Sequence, residues 1–462
     1  MSRLFGTDGV RGKAGEYPLD VPTIRRVGAA LVRALRRNSA SARAETPAGG
    51  TAGDAGVRFL AGRDTRESGA WIERELAFGI RAAGGSLTSA GVIPTPAVAY
   101  LATRMGYTAG VVISASHNPF EDNGIKVFAG GEKLADALER EVEAIVADPE
   151  WSVPAGDAPP VETVDYRAEY VAHLRRILPH DPPAAQPGCR LVIDCANGAT
   201  TTVAPRLFAE LGFDVRCIAC EPDGRNINRQ CGSTAPELLA RTVVDDGCDL
   251  GVAYDGDGDR AIFVDAAGRV VNGDAVLLMC ARQFKAEGRL KGNAVVATVM
   301  SNIGLEIALR KAGIGLVRCA VGDKYVMEEM LRRDLAIGGE QSGHIIFSDY
   351  LFTGDGLATS LHVLRIMFAT GRTLADLAGE LTTYPQVLLN VPVGRTVDLS
   401  SVPEVAKVIA SVESRLAGQG RLLVRYSGTE PLLRIMVEGE DEAAIRRWAE
   451  EIAEVARRHV GV

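Results

Sequence analysis

Arg190-Leu191-Val192-Ile193-Asp194, followed by Cys195-Ala196-Asn197-Gly198, is a short apolar run closed by a small polar loop. A run of this length, rich in β-branched residues and ended by a turn signal, predicts a strand that feeds a loop and then a helix. The pattern recurs on either side. Val57-Arg-Phe-Leu-Ala61 leads into Gly62-Arg63-Asp64, and Asn293-Ala-Val-Val-Ala-Thr-Val299 leads into Ser301-Asn302. Three related α/β domains follow from this alternation. The end of the chain differs. Arg421-Leu-Leu-Val-Arg425 and Leu432-Leu-Arg-Ile-Met-Val437 flank a turn, and the helix after them places Ile445, Trp448, Ile452 and Val455 on one face. That predicts a smaller C-terminal α+β domain.

Punctuation between these blocks suggests the boundaries. Val153 to Val161 is Pro-rich and reads as a linker, as does the region from Thr382 to Val391. The expected domains are residues 1–155, 160–262, 263–382 and 386–462. Residues 39–56, rich in Ala, Gly and Ser, read as a surface insertion.

A chain of 462 residues is too long for one ordinary core, and 47% hydrophobic content suffices for packed domains. The net charge of −8, with both signs mixed along the chain, argues against nonspecific nucleic-acid binding. No stretch is long and apolar enough for a membrane span, and Met1 to Phe5 runs into a Gly-rich motif without a signal-peptide core, so a cytoplasmic location is the expectation. All eight cysteines lie between Cys189 and Cys319. Cys217 and Cys220 form a CxxC on a predicted strand, where the two thiols would point to opposite faces and serve as small core residues.

Five polar motifs carry candidate chemistry. Ser114-Ala-Ser116-His117-Asn118-Pro119, with Asn123-Gly-Ile-Lys126 after it, follows apolar Gly110-Val-Val-Ile113. Serines just past a strand end stand where open α/β sheets bind ligands. Serine needs a proton acceptor or a group already attached, and His117 and Lys126 are nearby for proton handling. An ordinary polar turn is the competing reading of this loop.

Asp255-Gly-Asp257-Gly-Asp259-Arg260 spaces three carboxylates so that they converge on one cation. It is not an EF-hand, because Arg260 stands at its sixth position and Ala266 at its twelfth. A solvated acidic turn is the alternative. Gly338-Gly-Glu340-Gln-Ser342-Gly-His344 offers acceptors and a hydroxyl suited to sugar hydroxyls, or is only a loop. Arg425-Tyr-Ser427-Gly428-Thr429-Glu-Pro431, with Arg434 beyond it, suits a phosphate cradle or a plain hairpin, and lacks the ending of a P-loop. Gly6-Thr-Asp-Gly-Val-Arg11-Gly12 sets an arginine between glycines.

Together and in this order, the five segments resemble the α-D-phosphohexomutase superfamily over nearly the whole chain. The opening Leu4 to Gly12, Asn226-Ile-Asn-Arg-Gln-Cys231-Gly-Ser-Thr234 and Gly339 to His344 are similar to its bacterial branch acting on glucosamine phosphates. The resemblance implies three α/β domains with mixed sheets and a smaller fourth domain around a deep central cleft. It implies that glucosamine 6-phosphate and glucosamine 1-phosphate are interconverted through a phosphoserine and glucosamine 1,6-bisphosphate, towards UDP-N-acetylglucosamine. Ser116 would carry the phosphoryl group, and Asp255, Asp257, Asp259 and the Ser116 oxygen would hold one Mg2+. Arg11 and Arg260 would steady the transferring phosphate, with Lys126 and His117 placed for proton transfer. Glu340, Ser342 and His344 would face the sugar, and Arg425, Ser427, Gly428, Thr429 and Arg434 the idle phosphate. The partners implied are a small hexosamine phosphate and an activating phosphorylation on Ser116, with room for a homodimer. Glucose or mannose phosphates remain alternative substrates, and a metal-dependent sugar phosphatase or a sugar-phosphate-binding protein remains the alternative from another class.

Overall fold

A computed structural model describes residues 4–6, 8–44, 56–178, 188–394, 396–416, 418, 420–427 and 431–461. The chain divides into a larger unit, Met1–Met300 with Leu316–Ala378, and a smaller one, Ser301–Gly315 with Gly379–Val462.

The larger unit begins with an eight-stranded mixed sheet. Arg58–Arg63 lies between Ser86–Val92 and Ala109–Ile113, parallel to both. Ala109–Ile113 pairs antiparallel with Asp122–Ala129, which in turn pairs with Gly9–Lys13. Every residue of Ala109–Ile113 is buried, as expected of a strand covered on both faces. The predicted strand at 57–61 runs on through Gly62 and Arg63, so the loop begins at Asp64.

Arg190–Asp194 is a strand with the predicted bounds, parallel to Asp214–Ile218 and to Leu250–Tyr254. Ala261–Asp265 then pairs antiparallel with Leu250–Tyr254, and Val270–Val271 pairs with Ala261–Asp265. The expected boundary at 262/263 falls inside Ala261–Asp265, a strand of the second sheet. A four-stranded sheet follows, ordered Gly315–Cys319, Ala294–Thr298, Ile337–Gly339, Ile345–Phe347.

In the smaller unit Gln386–Pro392, Leu432–Glu438 and Arg421–Tyr426 form an antiparallel sheet, with apolar residues packed against helices Pro403–Leu416 and Glu442–Val460. Gln386–Pro392 corrects the linker expected up to Val391. It is an edge strand, a position that tolerates its closing proline. No element spans 151–161, as expected of a linker. Of the expected insertion, residues 39–44 continue the helix Val21–Ala44, and 45–55 lie outside the described residues. Among the described residues no helix is long and apolar enough to cross a membrane.

The CxxC expectation fails. The strand ends at Ile218, and Ala219 takes a left-handed φ of 46°. That turn returns the Cys220 thiol to Cys217, and Cys220 also meets Cys195. All eight cysteines are free thiols.

Candidate active site

Two loops meet, each at the carboxyl end of a buried strand of its own sheet. Ile113 hands over to Ser114-Ala-Ser116, and Tyr254 to Asp255-Gly-Asp-Gly-Asp259. Ser116 Oγ donates to Asp255 Oδ2 at 2.5 Å and lies 3.2 Å from His117 Nδ1. Both Ser116 and Asp255 are buried.

The serine loop is held from behind. Ser114 Oγ donates to Asp64 Oδ2 (2.5 Å) and accepts the Ser116 N–H (2.9 Å). Arg66 pairs with Asp64 (2.9 Å), both side chains fully buried, and donates to the carbonyls of Ser116 (2.9 Å) and Pro119 (2.6 Å). These contacts keep Ser116 at a φ of 53°, a region seldom used outside glycine.

In the second loop the three carboxylates bring oxygen atoms within 4.8 Å of one another, all buried. Asp257 Oδ2 accepts from Thr95 Oγ1 (2.7 Å) and Lys126 Nζ (2.8 Å). Asp257 Oδ1 and Asp259 Oδ1 are buried without a hydrogen-bond donor among the described residues. Burial, together with Asp259 and Asp257, pushes the Asp255 carboxyl well above the usual range. Crowded hard oxygens with idle lone pairs are what a divalent cation such as Mg2+ requires, so the donor set fits one.

Of the basic groups around the triad Lys126 is buried, and Arg11, Arg260 and His117 are half-buried. Burial opposes the charge on Lys126, but Asp257, Asp8 (3.0 Å) and Asp259 (3.6 Å) outweigh it and hold the ammonium well above its ordinary pKa. His117 goes the other way: burial, then Arg260 and Arg11, push its imidazole down to about 4, so the ring is neutral near pH 7. Arg11 pairs with Asp8, and its Nε and that of Arg260 are buried without an acceptor among the described residues.

A cavity of about 430 Å3 opens beside these groups, lined among others by Arg11, His117, Asp259, Arg260, Glu340 and His344. Glu340 Oε1 accepts the Gly322 N–H (3.2 Å). Flanking carboxylates pull His344 towards protonation, up to about 9 despite burial. The Gly354 N–H aimed at Nε2 (3.0 Å) opposes this, and with that donor in place the single ring proton sits on Nδ1, facing Asp259 (3.6 Å). Ser342 is exposed and does not line the cavity, so it stands apart from the sugar-facing group expected of it.

In the smaller unit Arg425 and Arg434 lie directly opposite on adjacent strands. Ser427 opens the turn, its N–H donating to Leu432 O (2.8 Å). Gly428 and Thr429 lie outside the described residues.

Comparison with known proteins gives this constellation its class. Phosphoglucomutase/phosphomannomutase alpha/beta/alpha domain I matches residues 2–152, domain II 168–268, domain III 272–384, and the C-terminal domain 388–455. The chain belongs to the phosphoglucomutase/phosphomannomutase family, enzymes that move a phosphoryl group within hexose phosphates, and it has that family's four-domain architecture. Among curated relatives it is 46% identical to the phosphoglucosamine mutase of Syntrophotalea carbinolica, covering 100% of this chain and 98% of the relative. It is 48% identical to that of Solibacter usitatus, over 99% of each. A phosphoglucomutase/phosphomannomutase family protein from Burkholderia thailandensis shares the fold at a TM-score of 0.80 and 23% identity, over 99% of this chain and 98% of that one. The Aspergillus fumigatus N-acetylphosphoglucosamine mutase, solved with GlcNAc-6P and magnesium, does so at 0.66 and 18%, over 98% and 95%.

Proposed function

We propose that this chain is a phosphohexose mutase that interconverts glucosamine 6-phosphate and glucosamine 1-phosphate, with Ser116 as the phosphoryl carrier. The observation that carries the reading is Ser116 Oγ hydrogen-bonded to one of three converging carboxylates. The full-length relatives named phosphoglucosamine mutase support the choice of sugar.

In the forward half-reaction the bond between Ser116 Oγ and phosphorus breaks. The free hydroxyl oxygen of the sugar monophosphate bonds to phosphorus, and its proton is passed on to the released Ser116 oxygen, restoring the serine hydroxyl. Glucosamine 1,6-bisphosphate results, turns over in the site, and returns its other phosphoryl group to Ser116. When bound at Asp255, Asp257, Asp259 and the serine oxygen, Mg2+ supplies charge neutralisation for the transferring group. The protein supplies the rest. Arg11 and Arg260 present guanidinium groups to the phosphoryl oxygens. His117, 3.2 Å from Ser116 Oγ, and Lys126, on Asp257, are the groups placed for proton handling. Glu340 and His344 face the sugar. The idle phosphate belongs to Arg425, Ser427, Gly428, Thr429 and Arg434. A resident phosphoryl group on Ser116 and a cytoplasmic setting belong to the same proposal, as do domains 1–155, 160–271, 272–382 and 386–462.

The test is a side-by-side rate comparison on the 6-phosphates of glucosamine, glucose and mannose, with Mg2+ and the matching bisphosphate present. Glucosamine should turn over fastest. Equal or faster rates on glucose or mannose would reassign the sugar, and release of inorganic phosphate as fast as isomerisation would make the enzyme a phosphatase.

A further inference from the structure

Of the segment Asn226 to Thr234, the mechanism above uses nothing. Asn228 within it adopts a φ of 58°, left-handed backbone where asparagine is one of the few tolerated side chains. Its N–H donates to Ala196 O (2.9 Å), which anchors it to the loop after strand Arg190–Asp194. Its side-chain amide reaches across to the first sheet and donates to Ser116 O (2.9 Å) and Asn118 O (3.1 Å). Gly256, between two of the metal-loop carboxylates, packs on the same spot. A Cβ there would fall 2.5 Å from Ser116 O and 2.9 Å from Asn228 Nδ2. The amide thus stands where the serine loop and the carboxylate loop touch, yet it does not line the cavity.

We propose that Asn228 is a positioning residue that sets the reach between Ser116 Oγ and Asp255. Arg66 grips the same carbonyl from the side of the first sheet, which also carries the serine. Asn228 reaches it from the side of the second, which carries the carboxylates. Without its amide the Ser116 carbonyl keeps one side-chain donor of two, and the hydroxyl loses its fixed distance from the triad. An error of about 1 Å in such a site costs up to roughly a hundredfold in rate. The inference rests on the proposed role of Ser116 as phosphoryl carrier.

The deciding variant is Asn228→Gly, which keeps the left-handed backbone free of strain and removes only the amide. Asn228→Asp keeps the shape but turns a carboxylate oxygen towards the two carbonyls. Phosphorylation of Ser116 by glucosamine 1,6-bisphosphate is followed by intact mass in a single turnover, beside steady-state kinetics and hydrogen exchange of residues 114–118. In both variants the phosphorylation rate and kcat should fall tenfold to roughly a hundredfold. KM should stay within about twofold, because Asn228 meets no substrate. Exchange at 114–118 should quicken. Wild-type phosphorylation rates in both variants, or a raised KM with unchanged kcat, would overturn the proposal. If Asn228→Gly fails to fold, Asn228→Asp carries the same outcomes. A wild-type enzyme that never takes a phosphoryl group on Ser116 would sink the functional reading instead, and the two failures are distinct.

Discussion

The serine loop and the carboxylate loop solve one problem by opposite means. Each follows a fully buried strand and must turn sharply to present its groups. The carboxylate loop uses glycine where the backbone is hardest. Gly258 takes a φ of 76°, and Gly256 lets two other loops approach its backbone. The serine loop has no such freedom, because the residue in the left-handed position is the nucleophile itself. Ser116 is held there by Arg66 and Asn228 from elsewhere in the chain, with Ser114 of its own loop accepting its N–H. A loop whose strained residue is dispensable can relieve the strain in its own sequence. A loop whose strained residue does the chemistry must be braced from outside.

The largest expected effect is on turnover. Ser116→Ala should lower mutase kcat by roughly 10^4-fold or more, as loss of a nucleophile does, and intact mass should show no phosphoryl group. Full activity with no phosphate donor supplied would reduce the serine loop to a turn. On the carboxylate side, Asp257→Asn should weaken Mg2+ binding by about a hundredfold or more, measured by calorimetric titration, since loss even of an outer partner costs up to that much. Unchanged affinity would mean that the three carboxylates do not act as one ligand set.

The third effect concerns Asp194, which steadies the loop that both others lean on. It accepts the N–H groups of Ala196 and Gly232 (2.8 Å each), while Ala199 N–H reaches Gly256 O and Asn228 N–H reaches Ala196 O. Burial pushes its carboxyl up to about 6, against those two donors. The folded state therefore binds this proton more tightly than the unfolded chain does. The stabilisation is complete below the unfolded pKa of about 3.9 and is lost as pH rises through about 6, a change of up to ~3 kcal/mol. Asp194→Asn cannot titrate. The stability gap between wild type and variant, read from urea midpoints, should shrink across that window, and a constant gap would contradict the assignment. The smallest effect tests the strain itself. Ser116→Gly should be more stable than Ser116→Ala by about 1 kcal/mol, because only glycine is at ease at that φ. Equal stability would erase the contrast between the two loops.

Local signals were legible in the sequence. The strand-loop openings at 58, 190 and 294 are where the apolar runs put them, and the alternating aspartates converge as their spacing implies. What escaped were the braces. Arg66 and Asn228 lie 50 and 112 positions from the serine carbonyl they hold, and Thr95 lies 162 from Asp257. Periodicity carries no information about such pairs. A polar residue directly after a strand, as Asp64 is, was the one available hint. The CxxC misled because a left-handed Ala219 is not foreseeable from an alanine, and Gln386–Pro392 was hidden by the prolines at 385 and 392.

Lys126 ties this centre to the integrity of the molecule. Its strand belongs to the first sheet, but two of its three carboxylate partners, Asp257 and Asp259, belong to the second. A fragment cut at residue 155 would keep the ammonium and lose most of its counter-charge, forcing it either to shed its proton or to draw in solvent. The cut that looks natural along the chain therefore passes through a buried knot of opposite charges, and halves expressed apart should each be poorer folds than the parent.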